Sequence, residues 1–306
     1  MTGPDPKRSG LSEFGRFAAR ALRRRWRKYR GELKQCRHHC AESSVHNLRV
    51  AIRRLCSILE VQAELQAGPE TAEVVRRLGK QLRWLGPLRD THVQREHLQA
   101  LRPRFPELKM IIRFLEKRER KLMRQARRKM SRIDPGELKE LLESRDLRLT
   151  RLAGASGDRA WARSLRAVDG AFRAVRRRFE RLEAARPDSI HRLRLAFKDF
   201  RYRVEALAPV LPGASRGRLE RMRHFQSAMG RIQDREILVE LIQSFAASSK
   251  RDQAGLRPVE QLLTRQQSAA IRAFVRSAKR VLDFWTQPET GARLRAARVR
   301  GGKKKE

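Results

Sequence analysis

Two stretches of the chain each carry a histidine followed by two basic residues at helical spacing. The first stretch, VHNLRVAIRRL, contains His46, Arg49 and Arg53. The second, IHRLRLAFKDF, contains the matching residues His191, Arg194 and Lys198. Residues three, four and seven positions apart lie on one side of a helix, so each set forms one polar strip. A guanidinium fork can hold phosphate oxygens through two hydrogen bonds, so each strip could bind phosphate groups.

The two strips belong to a longer internal repeat. VHNLRVAIRRLCSILE at 45–60 matches IHRLRLAFKDFRYRVEAL at 190–207 with a shift of 145 residues. A second pair of blocks, 85–98 and 229–242, follows in the same order with a shift of 144 residues. The second pair aligns Gly86 with Gly230 and Asp90 with Asp234. Two matches at nearly equal shifts indicate an internal duplication.

An apolar strip runs beside each polar strip. In the first copy this strip consists of Val45, Leu48, Ile52, Leu55 and Leu59. Because the apolar strip must pack inward, the basic residues at its shoulder favour a cleft or channel wall over fully solvated charge. The alternative is a histidine that hydrogen-bonds within a bundle, with solvated arginines around it. Repetition of the whole pattern favours the binding interpretation.

The charge of the chain is strongly unbalanced. Lys and Arg number 73 against 34 Asp and Glu, which gives a formal net charge of +39. Such self-repulsion opposes compaction until an anion neutralises it, so a polyanionic partner should stabilise the folded state. A generic basic surface is the alternative reading, but the predominance of Arg over Lys favours phosphate.

The pattern of apolar residues predicts an all-α protein, because alternating runs rich in Val, Ile and Thr are absent. The predicted helices span 11–33, 43–66, 69–84, 90–101, a long segment from 106, a short piece between 134 and 158, 159–185, 189–208, further helices to 249, and 256–285. Gly86 and Pro87 are expected to interrupt the chain. The helix from 106 carries a cationic stripe on the side away from its apolar residues, and the helix over 256–285 carries one along one face. The stripe residues assigned to the candidate site are Arg113, Lys117 and Arg120, and Arg265, Arg272 and Arg276.

The repeated blocks resemble the conserved histidine α-helical domain family, abbreviated CHAD. The resemblance rests on VHNLRVAIRRL, LGPLRDTHV, IHRLRLAFKDFRYRVEAL and MGRIQDREI, and it covers about 11–285. It implies two antiparallel four-helix bundles, over 11–145 and 158–285, related by a pseudo-twofold axis with a basic central pore or cleft. It also implies inorganic polyphosphate as the partner and an association with polyphosphate granules. Some members are fused to a triphosphatase, whose Glu-x-Glu-x-Lys signature this sequence lacks, so a stand-alone binder is expected.

The resemblance also implies which residues face the ligand. By motif position these are His46, Arg49, Arg53, Arg54, His191, Arg194, Lys198, Arg201 and Tyr202. Arg89 of the Arg-Asp pair and the two cationic stripes complete the candidate site. Two residues depart from the family pattern. Cys56 stands where the family commonly has a basic residue, and Gln233 takes the place that Arg89 has in the first copy.

Acidic and cysteine residues offer other chemistry that we expect to be structural. Asp90 and Asp234 are interpreted as helix N-caps or as partners that orient neighbouring arginines. The segment CRHHC at 36–40 could suggest zinc, but adjacent histidines on a helix point about 100° apart, so the four side chains cannot converge. The prediction is therefore no metal and no cofactor.

Two other functions compete with polyphosphate binding. A charge of +39 would also bind nucleic acid nonspecifically, although aromatic residues are only 6% and no base-reading module is recognisable. An enzyme of phosphoryl transfer would need metal-holding carboxylates or a phosphate-cradling loop, and neither GxxxxGK[ST] nor a paired Asp motif occurs. The sequence favours binding without catalysis.

The cellular setting is predicted from what the chain contains. Three cysteines, an odd and sparse set, suit a reducing compartment. The first ten residues lack the apolar core of a secretory signal, and no run of about 18 apolar residues exists. We expect a cytoplasmic protein at polyphosphate granules, without a membrane span. The segment 286–306 is basic and expected to be disordered. Oligomeric state cannot be predicted from the sequence.

Overall fold

A computed structural model describes residues 13–63, 68–152, 157–184, 186–211, 213–247 and 250–285. The segments 1–12, 153–156 and 286–306 lie outside these residues, and so do the predicted helix start at 11 and the predicted helix end near 66. Within them the chain is all-α, as predicted, with nine α-helices and no strand. The helices are α1 (Glu13–His38), α2 (Glu42–Ala63), α3 (Pro69–Leu101), α4 (Lys109–Ser131), α5 (Pro135–Leu152), α6 (Gly157–Glu180), α7 (Pro187–Leu207), α8 (Arg216–Ala246) and α9 (Lys250–Ser277). Two 3₁₀ helices, Pro106–Leu108 and Ala278–Phe284, precede α4 and follow α9.

The helices pack in two series of four. Helices α1 to α4 each pack on the next, and α6 to α9 do the same. The series meet through α2 against α7, α1 against α6 and α3 against α8, while α5 packs on α3 and α1. Since α2 and α7 carry the two polar strips, the packing brings the strips to one interface.

The core explains why α2 and α7 take these positions. The whole predicted apolar strip of α2 is buried, and α7 contributes Leu193, Phe197 and Phe200 to the same cluster. Full burial of each such side chain contributes about 2 kcal/mol. The inward packing predicted for the apolar strip is confirmed. The polar strips are therefore held at the edge of this buried cluster.

The predicted interruption at Gly86 and Pro87 is wrong, because α3 continues through both residues. A proline inside a helix removes one hydrogen bond and costs about 3 kcal/mol. Here Pro87 is exposed, and Leu85 and Leu88 beside it are fully buried. Burial of these flanking leucines offsets the local defect. The continuous helix keeps Gly86 and Asp90 on one rigid element.

Other helix ends differ from the predictions by smaller amounts. Helix α2 begins at Glu42, and the Ser44 hydroxyl donates to the Ala41 carbonyl at 2.8 Å instead of capping an N–H group. Helix α9 begins before the predicted start at 256 and gives way to a 3₁₀ helix after Ser277. The predicted turn after α7 is present, and Gly213 takes the left-handed conformation there, with φ of 77°. Among the described residues, no helix is both long and apolar enough to cross a membrane.

Candidate polyanion-binding site

The centre of the candidate site is the α2/α7 interface. There the Ser57 hydroxyl of α2 donates to the Tyr202 carbonyl of α7 at 2.9 Å. One turn away, Arg53 lies close enough to Lys198 to lower the pKa of that lysine. Both pairs join residues 145 positions apart in the sequence. The interface thus places corresponding residues of the two repeats opposite each other.

Arg49 and Arg194 flank this centre in matching environments. Arg49 donates from Nη1 to the Leu82 carbonyl at 2.8 Å. A Cβ atom at Gly86 would lie 3.7 Å from Arg49 Nη1, and one at Gly230 would lie 3.6 Å from Arg194 Nε. Each arginine therefore lies directly against the helix, α3 or α8, that carries the aligned glycine.

Lys198 shows how crowded the positive charge is. The pKa of this half-buried lysine is lowered to about 7 by burial and by Arg53, Arg194, Arg49 and Arg201. Burial and the charge of Arg53 also lower the pKa of Arg49 to about 10. In each case the protein makes the charged form less favourable than it is in water. An anion brought into this cluster would relieve that penalty.

The aspartates of the repeat lie inside this cationic cluster. Asp90 is within α3 and Asp234 is within α8, so the N-cap reading is wrong, because helix-capping residues stand at helix starts. Desolvation by surrounding protein raises the pKa of each, although Asp90 still reaches solvent. Arg49 opposes the shift at Asp90, and Arg194 opposes it at Asp234. The other reading, that they orient neighbouring arginines, agrees with these positions.

Two residues near the aspartates were not predicted. Arg118 of α4 favours the charged form of Asp90, and His97 of α3 does the same for Asp234. Arg118 follows the buried Ile111 by seven residues and Leu115 by three. This places it on the shoulder of α4's buried face, as Arg49 lies on that of α2. That spacing was the available signal, whereas the predicted cationic stripe lies on the opposite face of α4.

Arg89 serves both repeats. It pairs with Glu42 at 2.5 Å, and its charge acts on Asp90 as well as on Asp234. The second repeat has Gln233 at the corresponding position, which predicted a weaker charge there. Arg89 compensates in part for the missing arginine of the second repeat, because its charge acts on both aspartates.

The two histidines lie at the outer ends of the strips and differ in their surroundings. The His46 ring is exposed, and partial desolvation together with Arg89, Arg53 and Arg49 lowers its pKa. His191 is half-buried, its Nδ1 has no hydrogen-bond partner, and its charge acts on Glu236 of α8. His46 therefore lies among the central arginines, and His191 lies close to Glu236.

Arg54, Arg201 and Tyr202 connect the helices more than they extend the cluster. Arg54 Nε lies 2.6 Å from Glu205 Oε1, and Arg201 donates to Glu205 at 2.9 Å and to Gln226 at 2.7 Å. Arg201 also stacks on the Tyr202 ring at 4.2 Å. Arg54 and Arg201 thus have carboxylate or amide partners in the folded chain.

The two predicted stripes lie on outer surfaces. Their six residues are all exposed: Arg113, Lys117 and Arg120 on α4, and Arg265, Arg272 and Arg276 on α9. None of the six is among the charges that lower the pKa of Lys198 or of Arg49. Their part in binding remains a prediction.

The cysteine segment shows no sign of a metal centre. Cys36 and Cys40 are buried, and the Cys40 thiol donates to the Cys36 carbonyl at 3.2 Å, while His38 and His39 are exposed. In the part of the chain that the structure describes, no group of three or more potential metal ligands converges.

Comparison with known proteins identifies the family. The family model described as the CHAD domain matches residues 18–243. The chain belongs to the CHAD family. Its fold is similar to the crystal structure of the CHAD domain from the plant Ricinus communis, with a TM-score of 0.65 and 19% sequence identity over 90% of this chain and 96% of that one. No curated protein matches the chain significantly.

Family membership fits the residues already described. The match to the CHAD domain includes both polar strips, both aspartates and the glycines that contact Arg49 and Arg194. It ends before α9, so the outer stripe of α9 is not part of the matched region. The matched region includes the whole α2/α7 interface.

Proposed function

We propose that this CHAD chain binds inorganic polyphosphate at the α2/α7 interface. The observation that carries the proposal is the meeting of Arg53 with Lys198 between Arg49 and Arg194. The two aspartates in contact with this cluster balance only part of its positive charge. A linear phosphate polymer supplies closely spaced negative charges that would neutralise the rest and release counterions.

The arrangement of the helices supports a pseudo-twofold relation between two four-helix bundles. The pairs that join the two series, α2 with α7, α1 with α6 and α3 with α8, each combine helices in matching order. The axis would pass between Ser57 and Tyr202, which correspond in the repeat. On this proposal the polymer lies across the axis in a basic cleft and contacts both copies.

Polyphosphate is favoured over nucleic acid because the cluster offers no accessible aromatic ring on which a base could stack. Bases are recognised in part by stacking on aromatic rings. Tyr202 is the aromatic residue of the predicted site, and it is 9% exposed and covered by Arg201. The cluster therefore offers charge and hydrogen-bond donors without an accessible stacking surface.

We further propose that the chain is a binding protein without catalytic activity, located in the cytoplasm at polyphosphate granules. Both carboxylates of the cluster, Asp90 and Asp234, face cations. Phosphoryl transfer needs carboxylates free to hold metal ions. Release of orthophosphate from polyphosphate by the purified protein with Mg²⁺ would contradict this part of the proposal.

Calorimetric titration with polyphosphate of defined length tests the binding site. Replacing Arg49 and Arg194 together by Ala should weaken binding about a hundredfold, because each charge-assisted hydrogen bond contributes about 1.5 kcal/mol. The matched control, Arg166→Ala with Arg173→Ala, removes two exposed arginines of α6. If both variants bind polyphosphate with equal affinity at equal helicity, Arg49 and Arg194 do not belong to the binding site. Displacement by duplex DNA at equal phosphate concentration would favour the nucleic-acid alternative.

A further inference from the structure

A second basic surface lies along α1, away from the α2/α7 interface. Helices α1 and α5 border an open groove of about 900 Å³. Its basic lining residues are Arg20, Arg23, Arg24, Arg27, Arg30 and Lys139. None of the residues that line it belongs to α2, α3, α7 or α8. The groove is therefore built from a different set of residues from the central cluster.

The groove continues along α1 into a second hollow. This hollow, of about 600 Å³, shares Arg27 and Arg30 with the first and adds Lys34. At a rise of about 1.5 Å per residue, the basic side chains from Arg20 to Lys34 cover a track of about 20 Å. A track of this length fits a linear ligand better than a compact one.

The charge of the track is almost unopposed. Arg20, Arg24, Arg27 and Arg30 are exposed, and within the described residues they form no ion pair. Glu143 is the acidic residue in the lining, and it pairs with Lys139 at 3.4 Å. The four arginines thus present their full charge to a ligand.

The floor of the groove limits what that ligand can be. Phe17, Trp26 and Leu142 line it, but only 7%, 9% and 5% of each residue is exposed. The Trp26 ring is also stacked on Tyr29, with 5.3 Å between ring centroids. The two aromatic rings are therefore closed to a stacking base. The exposed part of the lining includes Pro209 and the arginine side chains, whose guanidinium groups suit a polymer made of phosphate groups.

We propose that this arginine groove binds a second segment of polyphosphate. The inference rests on the proposed function, because it takes the same ligand at a separate surface. With two sites built from separate sets of residues, one protein molecule can join two polyphosphate chains. Such bridging condenses long polymers and leaves short ones in solution.

Three variants separate the two sites. The groove variant carries Arg20→Gln, Arg24→Gln, Arg27→Gln and Arg30→Gln. A control variant carries Arg163→Gln, Arg166→Gln, Arg173→Gln and Arg177→Gln, which removes equal charge from exposed positions on α6. The third is the Arg49→Ala/Arg194→Ala variant of the central cluster.

Calorimetric stoichiometry with a short polyphosphate and turbidity with a long one are then measured. The expected result is two sites per chain in the wild type and the control, and one site in each of the other variants. Turbidity should be lost in the groove variant and kept in the control.

If the wild type has a single site and only the central variant removes it, the inference is overturned and the proposed function stands. A groove that binds duplex DNA and not polyphosphate would also overturn it. If the central variant keeps both sites, the proposed function is contradicted instead.

Discussion

Ser57 and Tyr202 join the two repeats through a hydrogen bond of 2.9 Å between a side-chain hydroxyl and a backbone carbonyl. Both residues are buried, at 4% and 9% exposure. They stand 145 residues apart, which is the shift that relates the two polar strips. A small change at this point tests whether the α2/α7 interface holds the molecule together.

Replacing Ser57 by Ala should destabilise the fold by about 1 to 2 kcal/mol, because the Tyr202 carbonyl would lose its donor in a buried place. Urea denaturation followed by circular dichroism measures the change. Ser131→Ala is the control, since that exposed hydroxyl donates within its own helix at 2.9 Å. Equal stability of the two variants would show that the interface hydrogen bond is dispensable.

Removing the aspartates should strengthen ligand binding. Asp90→Asn with Asp234→Asn removes two negative charges from among the cations of the cluster, so affinity for polyphosphate should rise by about thirtyfold, since each unit charge at 4 Å contributes about 1 kcal/mol in water. Burial raises the pKa of both carboxyls, so their ionised forms are not net stabilising and thermal stability should change little. Titration calorimetry of this variant beside Asp188→Asn/Asp283→Asn measures the effect. A drop in affinity would mean that the aspartates position the arginines for binding.

Lys198 should make binding depend on pH above neutrality. Its pKa is about 7 in the free protein, and a bound polyanion would raise it toward the ordinary lysine value. Between these two values binding takes up a proton, so affinity falls as pH rises; below about 7 the lysine is already charged and contributes no slope. Lys198→Arg keeps the charge at all these pH values and should abolish this part of the dependence. Calorimetry at pH 8.5 in buffers of different ionisation enthalpy counts the protons, and equal uptake by both proteins would contradict the assignment.

His46 should add a second dependence at lower pH. Partial desolvation and the neighbouring Arg89, Arg53 and Arg49 lower its pKa in the free protein. Bound phosphate would raise that pKa, so affinity should increase further as pH falls from 7 to 6, where Lys198 is already charged. His46→Gln should flatten this increase, whereas His224→Gln, an exposed control on α8, should not. An affinity that is constant over this range in the wild type would rule out a role for the histidine charge.

The aligned glycines should tolerate alanine and reject larger residues. A Cβ atom at Gly86 or Gly230 would make ordinary contacts of 3.7 and 3.6 Å with Arg49 and Arg194. Helix propensity then predicts that alanine at both positions stabilises the fold by about 0.5 to 1 kcal/mol per site. Leucine at both should displace the arginines and weaken polyphosphate binding. Gly79→Leu, next to the exposed Arg83 on the same helix, is the control for bulk alone. If the leucine variant binds polyphosphate with unchanged affinity, the space at the two glycines does not contribute to binding.

Much of this architecture could be predicted from local pattern. The buried strip of α2 and the exposed stripes of α4 and α9 follow from helical periodicity, which depends only on neighbours along the chain. The continuity of α3 could not be predicted, since a proline is tolerated there only because tertiary packing buries Leu85 and Leu88. The positions of Arg118 and His97 beside the aspartates likewise depend on how α4 and α3 pack. Sequence spacing can place such residues on a face but not select their partners.

A crystal structure of the protein with a short polyphosphate tests the central claim most directly. The account predicts phosphate oxygens within hydrogen-bonding distance of Arg53 and Lys198, with further phosphates of the same polymer on Arg49 and Arg194. Polyphosphate bound only along the exposed arginines of α4, α9 or the α1 groove, with the α2/α7 interface empty, would contradict it.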